Sequence, residues 1–472
     1  MIPTNSYTYQ SRRSIYRRPR AAANDHRHLP ASLPVPAALQ TFAFWRTPHA
    51  YLEMCRRRHG STFTINALGK PPMIFMSDPE DIGAIIAAPP DVLHPGAGAA
   101  VIKPLVGERS FMLLEEHEHL TVRKAIMPAF HSRVVAEHTD MVRDVAEREV
   151  AAWPADGRFA AHPYLRALTL KVILTTIFGS EDPRLDELHA RLLKMLTVTG
   201  SLSLQEPPLR LLPRWRGVWR SFLSERAHVD RLMRTLIRDE VHGAARERGV
   251  LALLLGGQGS RERAMSDGEV RDNLMSVILA GHETTASQLA WAYQLLAHDR
   301  NALTTLMDEI DRGGDAYLTA TVEEVMRHRP VFLFTIPRVL ARPVEVAGRL
   351  YQPPGQLVGC IHLMHHDPTL YPEPQRFRPE RFVDAPPRPH VWMPWGGGRK
   401  RCPGHSLATL EMQTVLRETL KRWVVRPGGR AVETARWRSV IVTPAHGCRI
   451  VLHDRTARRV VGYSQQSTAT RA

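Results

Sequence analysis

The stretch Trp395-Gly-Gly-Gly-Arg-Lys-Arg-Cys402-Pro-Gly404 decides the reading of this 472-residue chain. It is a glycine-rich loop that delivers one cysteine to the start of an amphipathic helix over 406–423. A helix N-terminus stabilises a thiolate through its dipole and its free backbone N–H groups. Consecutive glycines let the backbone approach a flat ligand closely. A lone cysteine is more often a small buried hydrophobe, but the cations and the three glycines beside Cys402 argue against that here. A zinc site on Cys402 and His405 lacks the second thiolate or close histidine pair that would complete four ligands.

Upstream, Ser266-Asp-Gly-Glu269 carries the capping-box signature, in which hydroxyl and carboxylate satisfy each other's orphan backbone donors. The helix it opens runs to about Asp299. Leu274, Val277, Ile278, Leu289 and Trp291 make it apolar on more than one face, so it crosses the core. Inside it sits Ala280-Gly-His-Glu-Thr-Thr285, a polar, glycine-containing interruption that a purely structural helix avoids.

Around this pair the chain organises simply. Prolines at 30, 34 and 36 give an extended entry, followed by a helical pattern around 44–59. Thr62–Asn66 and Met73–Met76 read as a hairpin across Gly69-Lys-Pro-Pro, and Pro79 opens another helix. From 118 to 310 the apolar spacing is mostly helical, broken at Pro154, Gly179, Pro207–Pro208, Pro213 and 256–259. Residues 343–360 read as strand, turn and strand around Pro353-Pro354-Gly355, and a proline-rich coil runs over 367–394. The expected fold class is mainly α with a small β region: a single unit over 35–455 between a basic tail at 1–34 and a second tail at 456–472.

The cysteine loop resembles the heme-binding signature of the cytochrome P-450 family, F-x-x-G-x-[R/H]-x-C-x-G, matched at Gly398, Cys402 and Gly404. Trp395 stands where Phe is usual and Lys400 where Arg or His is usual. Ala280-Gly281-His282-Glu283-Thr284-Thr285 is similar to the family's oxygen-binding motif. Glu324-Val-Met-Arg327 resembles its E-x-x-R helix, which taken alone reads as an ordinary surface pair worth a few tenths of a kcal/mol. Tyr371-Pro-Glu-Pro-Gln-Arg-Phe-Arg-Pro-Glu-Arg-Phe382 resembles the segment that supplies a further arginine, Arg381. His119-Leu-Thr-Val-Arg123 and Ile336-Pro-Arg338 are similar to the family's heme-carboxylate contacts. The motifs stand in the family's order over about 35–455.

The resemblance implies a triangular helical prism with the long central helix over heme b. Cys402 would be the axial ligand of the iron, and His119, Arg123, Arg338, Lys400, Trp395, Gly398 and Gly404 would bind the cofactor. Ala280 and Gly281 would leave room above the iron, and the Thr284 hydroxyl would bond the Ala280 carbonyl and open the helix locally. Thr284 and Glu283 would be catalytic, delivering protons, with Glu283 relaying them from solvent. Glu324, Arg327 and Arg381 would support the loop. The implied reaction activates dioxygen reductively and inserts one oxygen atom into an apolar small molecule, a terpenoid, fatty acid, steroid or polyketide. Val331, Phe332, Leu333, Phe334, Val101, Ile102 and residues near His282 would wall its pocket.

Apolar content of 43% and charged content of 23% describe a soluble globular protein. The net charge of +16 could serve nucleic acid or a membrane surface, yet the arginines concentrate in the tails and no nucleic-acid module appears. A non-catalytic basic binding protein, a gas sensor, and use of the same fold as a peroxygenase or oxidative coupling enzyme are the rival readings, each disfavoured by the Glu283–Thr284 pair or the cysteine loop. No apolar run is long enough to span a membrane or form a secretory signal. The acid-poor start resembles a transit peptide in composition, although a bacterial extension explains it as well. Cys55, Cys360, Cys402 and Cys448 form no disulfide framework, which favours a reducing, cytoplasmic setting. With no flavin or iron–sulfur signature present, electrons from NAD(P)H must come through an external partner. The expectation is an acidic ferredoxin and its reductase, docking near Arg399, Lys400 and Arg401 of a monomer.

Overall fold

The computed structural model describes residues 29–179, 182–197, 213–242, 250–254 and 265–455. The tails at 1–28 and 456–472, and the breaks at 207–208 and 256–259, lie outside the described residues. Residues 30–34, expected to belong to the tail, are tied down. Ser32 bridges Thr64, the Thr64 hydroxyl donates to the Pro30 carbonyl at 2.7 Å, and the Gln40 amide reaches the Leu33 carbonyl at 3.2 Å. The ordered unit therefore starts before residue 35, because an edge strand and one buried glutamine satisfy its backbone.

The central helix spans Asp267–His298. Its capping box forms as the sequence indicates: the Ser266 backbone N–H donates to Glu269 at 2.8 Å, and the Ser266 hydroxyl accepts from the Glu269 N–H. One stretch, with Leu274, Val277 and Ile278, packs among Ile173, Leu192 and Met233. The next, from Ala286 to Leu296, packs among Leu165, Val415 and Leu420. Each large apolar side chain buried this way contributes about 1.5–3 kcal/mol. The helix lies against His162–Phe178 (the flanking helix), Ala316–His328 and His405–Arg422 (the cysteine helix).

A five-stranded sheet runs in the order Thr62–Ile65, Met73–Met76, Gln356–Gly359, Arg338–Leu340, Leu93–His94. Its first two strands form the expected hairpin, with Phe63 opposite Phe75. The strands of 343–360 depart from expectation. Val344–Val346 and Arg349–Tyr351 pair across Ala347-Gly348, both at positive φ, while Gln356–Gly359 leaves to join the large sheet. The turn falls at Ala347-Gly348 because the glycine tolerates that conformation. The prolines at 353 and 354 break pairing instead.

Candidate active site

The cysteine loop is held from four sides. The Cys402 N–H donates to the Trp395 carbonyl at 3.0 Å. Gly396 and Gly398 adopt positive φ of 65° and 62°, and a Cβ on Gly398 would stand 2.7 Å from Ile86 Cγ2. Gly404 stands at the N-cap of the cysteine helix, which starts at His405, one residue before the expected 406. From the helix Glu116–Ile126, Arg123 donates to the Arg401 carbonyl at 2.7 Å, and the His119 Nε2 lies 3.2 Å from the Arg399 carbonyl. Burial pushes the Cys402 thiol upward. The Gly404 backbone N–H, Arg123 and Arg401 oppose that shift, and a bound metal ion deprotonates a thiol outright.

His119, Arg123 and Lys400 meet at this loop through direct bonds. Arg338, on its strand, is close enough to repel Lys400. Arg338 is buried, and burial lowers its affinity for a proton to about 10. Lys400 falls to about 8, first through burial, with Arg123 and Arg338 adding to it. Among the described residues, Arg123, Arg338 and Lys400 make no ion pair with a carboxylate; Glu115, the nearby acid, accepts instead from the Ala97 N–H at 2.9 Å. Such a cluster, with Arg338 buried and Arg123 and Lys400 partly buried, is unfavourable without an anion, so it fits the two carboxylates of a heme. The donor roles differ from the sequence expectation. Lys400 Nζ is spent on the carbonyls of Phe111 and Leu114, at 3.2 and 2.7 Å, and both His119 ring nitrogens face carbonyls. These two brace the loop, leaving Arg123 and Arg338 with the freer guanidiniums.

On the central helix, residues 270–278 and 285–296 are buried, as are His282 and Glu283, whereas Leu279, Ala280, Gly281 and Thr284 are partly open. Residues 280 and 284 share one helix face at i,i+4, so a buried helix presents a short open stripe at the motif. The Thr284 hydroxyl donates to the Ala280 carbonyl at 2.5 Å. Among the described residues no hydrogen bond or ion pair joins this turn to the cysteine loop; the helices that carry them pack against each other.

Glu283 is buried and held by two arginines far away in sequence: Arg166 of the flanking helix, at 2.9 Å, and Arg438. His162 Nε2 and His282 Nδ1 stand 3.9 and 3.8 Å from its carboxylate. Sequence reasoning missed both arginines, because no local pattern marks a partner 117 or 155 residues away. The acid expected to relay protons from solvent is therefore clamped by cations. His282 is fully buried with neither ring nitrogen bonded, so it does not line an open pocket.

Glu324 and Arg327 are fully buried and doubly bonded, Nε to Oε2 at 2.7 Å and the second guanidinium nitrogen to Oε1 at 2.8 Å, which removes the surface-pair reading. Arg381 stands 3.4 Å from Glu324 as a charge contact. Arg327 also donates to the carbonyls of His365 and Pro374. His365 in turn accepts from the Met393 N–H at 3.0 Å, two residues before Trp395. The network thus reaches the cysteine loop through His365, which sequence reasoning missed. Leu333 and Phe334 pack with Phe44, Phe75 and Trp437, and Ile102 joins the central-helix core.

The model of the family described as Cytochrome P450 matches residues 28–450. The chain is 34% identical over 453 residues to "Putative cytochrome P450 135B1" of Mycobacterium tuberculosis, covering 93% of this chain and 94% of that one. It is 31% identical over 434 residues to "Putative cytochrome P450 135A1" from the same species, covering 90% and 95%. Among solved structures it superposes on "Retinoic acid bound cyanobacterial CYP120A1" with a TM-score of 0.77 at 21% identity, covering 88% of this chain and 96% of that one. "Crystal structure of cytochrome P450DA heme domain" gives 0.75 at 19%, covering 89% and 97%.

Proposed function

The chain belongs to the cytochrome P450 family of heme-thiolate monooxygenases, and from that premise we propose that it oxygenates an apolar small molecule, of terpenoid, fatty acid, steroid or polyketide class, with Cys402 as the iron's axial ligand. When bound, the heme supplies the chemistry, reductive activation of dioxygen and transfer of one oxygen atom. The chain supplies position, charge and protons. Arg123 and Arg338 would pair with the heme carboxylates, and Lys400 and His119 would hold the loop that carries the thiolate. The observation that carries the reading is the set of buried and partly buried cations around Cys402 that have no carboxylate partner among the described residues.

Thr284, whose hydroxyl donates to the Ala280 carbonyl on the open stripe, would hold an ordered water and pass a proton toward the oxygen. Glu283 is the next acid along the helix, and its two arginines fix its carboxylate until they move. Electrons come from NAD(P)H through an external protein, which we assign to an acidic ferredoxin with its reductase. Arg399 is exposed and suits such docking, whereas Lys400 is turned inward to the carbonyls of 111–114. No described helix is long and apolar enough to cross a membrane.

The test is the carbon monoxide difference spectrum of the dithionite-reduced protein. A strongly red-shifted Soret band that disappears in Cys402→Ala is expected, followed by incorporation of labelled dioxygen into one member of an apolar substrate panel. A spectrum unchanged by Cys402→Ala would overturn the ligand assignment.

A further inference from the structure

A cavity of about 960 Å³ opens between the start of the flanking helix, the end of the helix Arg184–Leu196, the start of the helix Pro213–His242, and the hairpin of Ala435–Arg438 with Ile441–Pro444. That is the upper end of the range for small-molecule sites, about 300–1,000 Å³. Among the described residues its lining combines Arg166, Lys194, Arg436 and Arg438 with no aspartate or glutamate, and Met195, Trp215, Phe222 and Trp437 supply apolar surface. Lys194 is already paired with Glu225. The charge that matters lies deeper.

Arg166 and Arg438 are only 11% and 18% exposed, and both bond the same carboxylate, Glu283. Two guanidiniums therefore share one acid. His162 beside them adds no negative charge, and burial drives its imidazole toward the neutral form, down to about 3. Both side chains line the cavity. A largely buried excess of one positive charge is costly until an anion meets it, and a guanidinium presents the fork geometry that a carboxylate matches.

We propose that this cavity binds an amphipathic carboxylate, its head on Arg166 and Arg438 and its apolar body along Trp215, Phe222 and Trp437. The site is separate from the cysteine loop. Because the same two arginines hold Glu283, an anion bound there weakens their grip on the acid, and the ligand's charge is felt at the proton-handling turn. Only that last link rests on the reading of Glu283 given above; binding itself does not. The carboxylate could be the substrate's own or that of a separate effector.

The probe is dodecanoate, with dodecanol as the neutral control, titrated calorimetrically into heme-loaded protein saturated with 4-phenylimidazole to occupy the iron face. One-to-one binding of dodecanoate is expected, at least tenfold tighter than dodecanol. Glu283→Gln, close in shape to the native acid, removes the competing carboxylate and should tighten dodecanoate about tenfold, a direction that general loosening of the fold does not produce. Arg438→Gln should abolish the preference for the anion. Equal binding of acid and alcohol, or no tightening in Glu283→Gln, would overturn the site. A normal carbon monoxide spectrum on the same samples separates failure of this site from failure of the heme-thiolate reading. With phenylimidazole omitted and electrons supplied, oxygenated dodecanoate assigns the anion to the substrate; binding without turnover assigns it to an effector.

Discussion

His365 offers a quantitative test of how the support beneath the cysteine loop is built. Its Nδ1 faces the Arg327 carbonyl at 3.3 Å and its Nε2 accepts from the Met393 N–H at 3.0 Å. Nδ1 therefore carries the proton and Nε2 must stay bare; protonating it would set two donors against each other. Burial, with the Arg327 charge beside it, pushes this imidazole down to about 3. In the unfolded chain it titrates near 6.5. Between these values the unfolded state binds a proton that the folded state refuses, so stability is complete above pH 6.5 and declines as pH falls toward 3. From pH 7.5 to pH 5.0 the loss from this single residue is about 2 kcal/mol, at roughly 1.4 kcal/mol per pH unit below 6.5. Other groups titrate in the same range, so the measurement is a difference. His365→Gln keeps an acceptor for the Met393 N–H but has no proton to gain. Urea unfolding of both proteins at pH 7.5, 6.0 and 5.0 should show the native protein's advantage shrinking by about 2 kcal/mol. Parallel curves, with a constant gap, would refute the assignment of a neutral imidazole between Arg327 and Met393.

Gly398→Ala places a Cβ 2.7 Å from Ile86 Cγ2 at a φ of 62°, and should cost about 1–3 kcal/mol and lower the heme retained per chain, read from Soret absorbance against protein concentration. Thr284→Ala removes one hydrogen bond to Ala280, so the unfolding free energy should change by no more than about 1 kcal/mol, while the share of electrons recovered in oxygenated product falls severalfold and hydrogen peroxide rises. Arg399→Glu should slow reduction by an acidic ferredoxin, and the remaining rate should lose its fall with added salt. An unchanged salt dependence in stopped-flow reduction would place the docking face elsewhere.

What the sequence made legible was local. The capping box at Ser266 and Glu269, the hairpin of Thr62–Ile65 with Met73–Met76, and the glycine loop before Cys402 each depend on residues within a few positions, and each forms as read. The bond from Thr284 to Ala280 is likewise an i−4 contact. What remained hidden was the partner chosen across the fold. Glu324 and Arg327 were visible as a pair, but that both are fully buried follows from the meander closing over them, with Arg378 N–H on Glu324 at 3.0 Å. Lys400 read as a cofactor contact because its position in the loop is local information. Its Nζ bonds depend on where 111–114 pass, and that is set by tertiary packing.

Glu283 shows why this division matters for function. An ionised carboxylate buried inside a helix core needs cationic partners, since desolvation otherwise costs several kcal/mol. One arginine would balance its charge, yet the fold brings two, from positions far apart in the chain, and both also line the neighbouring cavity. The second cation exceeds what charge balance with one carboxylate requires, and a largely buried guanidinium carries its own desolvation cost. An arrangement that tolerates that cost keeps its arginines divisible, one part for the internal acid and one for an external anion. Glu283 can then be loosened by whatever carboxylate enters the neighbouring cavity, with no rearrangement of the helix that carries it. If the second arginine were merely structural, Arg438→Gln would leave both anion binding and the pH dependence of turnover as they are in the native protein. If the arginines are shared, both change together, and Glu283→Gln shifts anion binding the opposite way.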